Sequence, residues 1–463
     1  MRPRLPLLFL LSATLLPAQA PTAPPAAPRL AGHPYMGWSS WSFYLDHVTE
    51  SAVLAQAKAL VDAGLPALGY RYINLDDGWS DGWDDHGIPK PNLTKFPSGM
   101  DGMARQIHAQ GLLFGIYLNP GIREELYNAN PLIPGTAAHI KDIADIAHTG
   151  STRDPKRANP RIHAFRIDFS KPAAAAYIQA QVAQFDRWGV DFIKFDFVGP
   201  GGGDVPADTR QELRQWHRAI AHAHRPIWLE LSNFMSIDQA ATWRASSNGW
   251  RIENDIECYG CKTTPATPDS PALRNLTQWS KVVERFTDVR PWIQFAGPGG
   301  WNDLDSLELG NGDRDGITPA ERQSMFTLWA ISCAPLYLGS DLTHLDPADL
   351  ALISNRRIIA IDQAGIPASP VDIPSWRSRK GQQLWLTRYP DGSVVLAIFN
   401  LNDQPAAIQL SLEELDSLRD THLAASSIFE DQLDGAPGHP TNGNLEFPLD
   451  PHASRLLRFT PPR

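Results

Sequence analysis

The chain has 463 residues, 43% of them hydrophobic and 20% charged, which is enough material for two folded domains and a large core. Its formal net charge of −10 argues against nucleic acid or an anionic membrane surface as partner, because both attract basic surfaces. Fifteen tryptophans are a high count, and several fall beside predicted strand ends, where an aromatic face suits the apolar face of a sugar ring; core filling accounts for the others.

Residues 1–20 read as an export signal. Arg2 and Arg4 give a basic start, residues 5–16 form an apolar stretch too short to span a bilayer, and Ala18-Gln-Ala20 resembles a cleavage site. A Pro/Ala-rich leader follows over 21–32. No later segment reads as a membrane anchor, so the protein is expected to be periplasmic or secreted and free of membrane once the signal is removed.

Eight short apolar segments follow, each ending in a polar, charged or Gly-rich tip: residues 34–41, 72–77, 113–117, 192–196, 227–230, 250–255, 292–295 running on to Asp305, and 335–341. Between them, apolar spacing predicts helices over 49–65, 100–110, 173–188, 209–224, 273–287 and 319–332. Pro172 opens the third of these and Gly189 stops it. Buried parallel strands read as short apolar runs, and eight of them alternating with helices predict an α/β fold, a (β/α)8 TIM barrel over 33–366. The connection over 121–171 is long, with a short helical stretch near 137–147, and is expected to shape the rim of the barrel mouth.

Three cysteines remain. Cys258-Tyr-Gly-Cys261 is spaced for a small disulfide at the sixth strand end, and Cys333 lies in an apolar run as a core thiol. A zinc site of about four ligands has no second cluster to draw on. Near residue 363 the pattern changes. Residues 382–387 and 393–400 flank Tyr389-Pro-Asp-Gly392, a hairpin signal, and 406–412 and 453–459 also read as strands, so a C-terminal antiparallel β-sandwich domain is expected over 367–463.

The candidate chemistry sits at the strand tips. Lys194 and Asp196 are two apart on one strand and so share a face, where a neighbouring ammonium would keep Asp196 ionised, as a nucleophile requires. Arg251 and Asp255 bracket the sixth tip. A carboxyl in a drier setting near Trp243 and Trp250 would have a raised pKa and serve as a general acid, with Glu253 and Glu257 competing for the role. Asp76, Asp77, Glu230, Asp303 and Asp305 complete a ring of carboxylates suited to sugar hydroxyls, and Trp41 and Tyr117 are the candidate walls. Paired carboxylates with aromatic walls are what glycoside hydrolysis requires. The competing readings are a metal-dependent barrel, since such acids also bind Mg²⁺, and a sugar-binding barrel without catalysis.

At these residues the chain resembles glycoside hydrolase family 27, the α-galactosidases and α-N-acetylgalactosaminidases. The matching pieces are Met36-Gly-Trp-Ser-Ser-Trp41, Tyr72-Ile-Asn-Leu-Asp-Asp-Gly-Trp79, Gly115-Ile-Tyr117, Lys194-Phe-Asp196, Arg251 with Asp255, Gly297-Pro-Gly-Gly-Trp-Asn-Asp-Leu-Asp305, and Leu328-Trp-Ala-Ile331 leading to Ala334-Pro-Leu336. They run in family order across the whole predicted barrel. The resemblance implies a retaining double displacement on a carbohydrate substrate with no cofactor, Asp196 matching the nucleophile and Asp255 the acid/base. Asp76 and Asp77 match the pair that holds the outer hydroxyls. Lys194, Glu230, Arg251 and Asp305 match further sugar contacts, and Trp41 and Tyr117 the pocket walls. Two departures stand out: Gly78 replaces the cysteine that familiar members carry after the paired aspartates, and Leu229-Glu-Leu-Ser-Asn233 replaces their Cys-Glu-Trp-like fifth tip. Glu230 favours a free hydroxyl over an acetamido group at the sugar's second carbon. The family also resembles β-L-arabinopyranosidases and isomaltodextranases in fold and motifs.

Overall fold

The computed structural model describes residues 30–149, 164–201, 207–261, 263–264 and 273–460. The expected export signal, most of the leader and part of the 121–171 connection lie outside the described residues.

Eight parallel strands make one sheet: β1 (Met36–Ser39), β2 (Tyr72–Asn74), β3 (Leu113–Leu118), β4 (Phe192–Phe195), β5 (Trp228–Leu231), β6 (Gly249–Arg251), β7 (Trp301–Asp303) and β8 (Leu336–Leu338). They pair in the order β7-β6-β5-β4-β3-β2-β1-β8. The ring closes just past β7, where Leu307 pairs in parallel with Leu338 and donates its N–H to the Tyr337 carbonyl at 2.7 Å. This is the expected (β/α)8 barrel.

Strand alternation gives the barrel its two kinds of surface. On β4, Ile193 and Phe195 join the large core under the helices, and the Phe195 ring lies 5.3 Å from that of Trp216. Phe192 faces inward, where it joins Tyr35, Trp228, Trp301 and Tyr337 in a separate buried cluster. That aromatic floor closes the barrel from below. Lys194 and Asp196 are the next inward-facing positions above it, which brings two charged groups to the mouth.

The surrounding helices are α1 (Glu50–Asp62), α2 (Gly99–His108), α3 (Pro172–Trp188), α4 (Arg210–Ile220), α5 (Ala240–Ser246), α6 (Trp279–Asp288), α7 (Pro319–Ile331) and α8 (Arg356–Gln363). Local chemistry sets their ends. Pro172 opens α3, and Gly189 closes it at φ +85°. Thr318 and Glu321 form a capping box on α7. α3 turns Ile178, Val182 and Phe185 toward the barrel, and side chains of this size contribute roughly 2 kcal/mol each when fully buried.

Several sequence expectations are corrected. Residues 292–295 are not a strand: Ile293–Phe295 is a 3-10 turn, and β7 begins only after Gly297-Pro-Gly-Gly300 has broken the chain. The helix expected from 273 starts at Trp279, because Leu273–Arg274 pairs with Thr263–Thr264 instead. The helical stretch near 137–147 is one 3-10 turn, Ile140–Ile143, followed by a strand, Ala144–Thr149, paired with Ala164–Ile167. α5 was not foreseen. Nine of the fifteen tryptophans are fully buried, so most fill core and do not line a sugar site.

Beyond the barrel lie β9 (Ser369–Pro370), β10 (Gln382–Arg388), β11 (Val394–Asn400), β12 (Ala406–Ser411), β13 (Phe429–Asp431), β14 (Pro437–Gly438), β15 (Asn444–Leu449) and β16 (Ser454–Phe459). They form a six-stranded antiparallel sheet, β9-β10-β11-β16-β13-β14, and a two-stranded pair, β12-β15. β11 is buried on both faces. Val394, Leu396 and Ile398 belong to the C-terminal core, whereas Val395, Ala397 and Phe399 pack into the barrel's helical core, with Phe399 4.8 Å from Phe286 of α6. A period-2 pattern with both faces apolar is the signature of such a central strand.

Candidate active site

The strand tips bring the predicted carboxylates together at one mouth. Asp76, one turn of the pleat above Asn74, is 3% exposed. Its Oδ2 accepts from Lys194 Nζ at 2.7 Å and its Oδ1 from the Asp77 amide at 2.8 Å, while its own amide donates to Ser40 Oγ. Burial pushes the Asp76 carboxyl up and Lys194 draws it back. Burial would lower the Lys194 pKa, but Asp76 outweighs it and the ammonium is held charged. Lys194 therefore pairs with Asp76 rather than with its strand neighbour Asp196, which corrects the sequence expectation. The side chains across a parallel ladder explain this: Lys194 leans across the mouth toward the β2 tip.

Asp196 Oδ2 accepts from the Tyr117 hydroxyl at 2.9 Å, and that hydroxyl accepts from Asn119 Nδ2 at 2.9 Å. The other oxygen, Oδ1, is buried and has no hydrogen-bond partner among the described residues. Tyr117 thus acts on the carboxylate; it is buried rather than a pocket wall.

On the opposite side, Arg251 Nη2 bonds to Asp255 Oδ1 and Arg251 Nη1 lies 3.1 Å from Asp305 Oδ2. The second Asp255 oxygen accepts from the Tyr259 hydroxyl at 2.7 Å. Burial pushes the Asp255 carboxyl up, but Arg251, with Tyr259 and Lys194 behind it, outweighs burial and holds it well below the usual carboxylate range. The expected raised pKa is absent because the cation, not tryptophan, surrounds this group. Trp250 turns outward to donate to Asn302 Oδ1 and Trp243 donates to the Ser236 carbonyl, so neither reaches Asp255.

Asp305 has all of its acceptor capacity in use. Besides Arg251 it accepts from the Ile256 and Ser306 amides, both at 2.9 Å, and from the Tyr337 hydroxyl at 3.0 Å. It lies beneath Arg251, not at the open face. Asp303, one layer down, has its pKa raised to about 7 by burial and by Asp305. Glu230 is deeper than expected. Its Oε2 accepts from Trp228 Nε1 at 2.7 Å, and burial followed by Asp303 pushes its carboxyl well up. It faces a narrow cavity shared with Asn74, Asp76, Lys194, Ser232 and Asp303. Asp77 is half-buried and accepts from the Gly78 amide at 2.8 Å, capping a turn in which Gly78 takes φ +97° against the Asp46 backbone.

Sequence reasoning missed Tyr259, Asn119 and Tyr337. Tyr259 lies between the two cysteines of the Cys258–Cys261 disulfide, and its hydroxyl also accepts from Trp41 Nε1 at 2.7 Å. Its spacing of four from Asp255 was the available signal. Asp255, Glu257 and Asp305 each bring an oxygen within 4.8 Å of the others, a grouping that a cation could use. Arg251 already supplies positive charge to two of the three.

A (β/α)8 mouth lined by two separated carboxylates, a lysine-paired aspartate and an arginine defines a sugar-processing barrel, and the comparisons agree. The family model described as alpha galactosidase A matches residues 34–145 and 167–364. The chain is 27% identical to the alpha-galactosidase of Cyamopsis tetragonoloba over 92% of its own length and 86% of the relative's. It is 28% identical to alpha-galactosidase 3 of Arabidopsis thaliana, over 93% and 83%. Among solved structures it superposes on a β-L-arabinopyranosidase of Geobacillus stearothermophilus with a TM-score of 0.79 and 26% identity, covering 93% of this chain and 97% of that one. For alpha-galactosidase I of Mortierella vinacea the TM-score is 0.69 and the identity 25%, with the same coverages of 93% and 97%. The chain belongs to the alpha galactosidase A family and is a glycoside hydrolase.

Proposed function

We propose that the protein is a retaining exo-glycosidase that releases terminal α-D-galactosyl residues by double displacement. The observation that carries this reading is Asp196 Oδ1, a buried carboxylate oxygen at the mouth without a partner among the described residues. Leaving such an acceptor unpaired costs about 1–3 kcal/mol, a cost that makes sense where the sugar's reacting carbon completes its surroundings. In this account Asp196 attacks the anomeric carbon while Asp255 gives a proton to the departing glycosidic oxygen. Asp255 then takes a proton from the water that releases the sugar from Asp196. The Arg251 contact favours the ionised form of Asp255, which the second step uses. The proton that Asp255 takes from water in that step is the one it gives in the next cleavage.

Asp76, Asp77 and Lys194 hold the outer hydroxyls, Glu230 acts from the cavity below, and Trp41 forms a wall. Tyr117, Arg251 and Asp305 hold the two reacting carboxylates in place. The alpha-galactosidase relatives favour galactose as the sugar. The TM-score of 0.79 favours β-L-arabinopyranoside as the second reading, since that sugar differs from α-D-galactose only in lacking the exocyclic CH₂OH. We further read 33–366 as the catalytic barrel and 367–463 as an accessory β domain. Export follows from the basic and apolar N-terminus, and the Cys258–Cys261 disulfide fits an oxidising compartment.

The test is hydrolysis of four aryl glycosides by purified protein: α-galactoside, α-N-acetylgalactosaminide, β-L-arabinopyranoside and α-glucoside. A dominant α-galactoside rate is expected. A dominant arabinopyranoside rate would overturn the sugar assignment and leave the catalytic pair standing.

A further inference from the structure

We propose that Tyr259, clamped by the Cys258–Cys261 disulfide, is a positioning residue for Asp255, and that the disulfide acts on catalysis through it. This rests on the reading of Asp255 as the acid/base. The geometry is specific. Asp255 has two oxygens, and each has its own holder: Arg251 on Oδ1 and the Tyr259 hydroxyl on Oδ2, the latter at 2.7 Å. The Asn233 side chain adds a further hydrogen bond, and these contacts together set the plane of the carboxylate and hence the direction in which it offers a proton. Arg251 is buried, with a 4% exposed side chain, and also pairs with Asp305. Tyr259 is 50% exposed, so burial holds it less firmly than it holds Arg251. A half-exposed tyrosine ordinarily exchanges rotamers.

Two features of the mouth add to its hold. Its hydroxyl accepts from Trp41 Nε1 at 2.7 Å, which ties it to the tip of β1 across the mouth. Its backbone sits in a loop closed by the disulfide, with a Cα–Cα distance of 5.3 Å and a sequence separation of 3. That loop is fastened to the barrel by the Cys258 amide, which donates to the Leu276 carbonyl at 2.7 Å. Trp41, Tyr259 and Asp255 therefore form one hydrogen-bonded chain, anchored at one end by β1 and in the middle by a covalent clip. Opening the clip frees the backbone of Tyr259 and loosens the carboxylate at the far end.

The experiment compares an α-galactoside with an alkyl leaving group, which needs a proton, and 4-nitrophenyl α-galactoside, which does not. In Tyr259→Phe, kcat/KM at the optimum is expected to fall about tenfold on the first substrate and less than about twofold on the second, by analogy with other losses of general-acid function. The Tyr259 hydroxyl favours ionised Asp255, so its removal moves the basic limb of the alkyl profile to higher pH. Wild type with its disulfide reduced, and Cys258→Ser, should show the same selective loss. Reduction of Tyr259→Phe should add little, since both changes act on one contact. Equal losses on both substrates, an unmoved pH limb, or full activity after reduction would each overturn the proposal. Asp255→Ala is run alongside. If it shows no leaving-group selectivity, the acid/base reading itself fails; if it does and Tyr259→Phe does not, only the present inference falls.

Discussion

Lys194 Nζ lies 2.7 Å from Asp76 Oδ2, so the mouth is cross-tied from β4 to the tip of β2. The Asp76 side chain is 3% exposed and cannot discard its charge to water. Lys194→Met would leave that carboxylate buried alone, at a cost of about 3–5 kcal/mol. Asp76→Asn in the same background removes the stranded charge, and the double variant is expected to be more stable than Lys194→Met alone. Denaturant unfolding of the four proteins checks this. Strictly additive losses would mean that the two groups do not depend on each other.

Gly249 of β6 is predicted to tolerate no side chain. A Cβ built there meets Glu230 Oε2 at 2.2 Å, so Gly249→Ala must displace a buried carboxyl, at about 1–3 kcal/mol. Glu230→Ala in addition removes the obstacle, and the double variant is expected to melt above Gly249→Ala. A higher melting point for Gly249→Ala than for wild type would contradict the packing described.

Stability should fall with rising pH through two buried acids. Burial and Asp305 raise Asp303 to about 7, and burial raises Glu212, which accepts from the Gly121 amide, to about 7. In the unfolded chain both titrate near 4, so between roughly pH 4 and 7 the folded state binds more protons and loses stability as pH rises, by a few kcal/mol per group at most. Asp303→Asn and Glu212→Gln keep the uncharged shape. Each should match wild type below about pH 4 and gain on it progressively up to about pH 7, in melts across that range. A constant offset would show that the groups do not titrate there.

The barrel was legible because buried parallel strands and amphipathic helices leave different periods in the sequence, as 192–196 and 173–188 do. The seventh strand was misplaced because Trp292 to Phe295 is as apolar as a strand, and only the Gly297-Pro-Gly-Gly300 break separates it from Trp301. At the site, strand alternation put Lys194 and Asp196 on one face correctly. It could not say that Lys194 would reach across to Asp76, because pairing between distant tips depends on barrel geometry. Arg251, four residues from Asp255, was visible, but its effect was misjudged: a cation beside a buried carboxyl lowers the pKa that burial would raise. The role of Tyr259 was not legible because the Cys258–Cys261 spacing signals a disulfide but not which side chain that disulfide mounts.

The central claim is that Asp196 carries the sugar. Incubation with a fluorinated α-galactosyl fluoride, which forms a glycosyl-enzyme readily and releases it slowly, followed by proteolysis and mass spectrometry, tests it directly. One fluorogalactosyl group is expected on the peptide containing Asp196, and none in Asp196→Ala. A label on Asp255 or on any other carboxylate, or catalysis retained in Asp196→Ala, would contradict it.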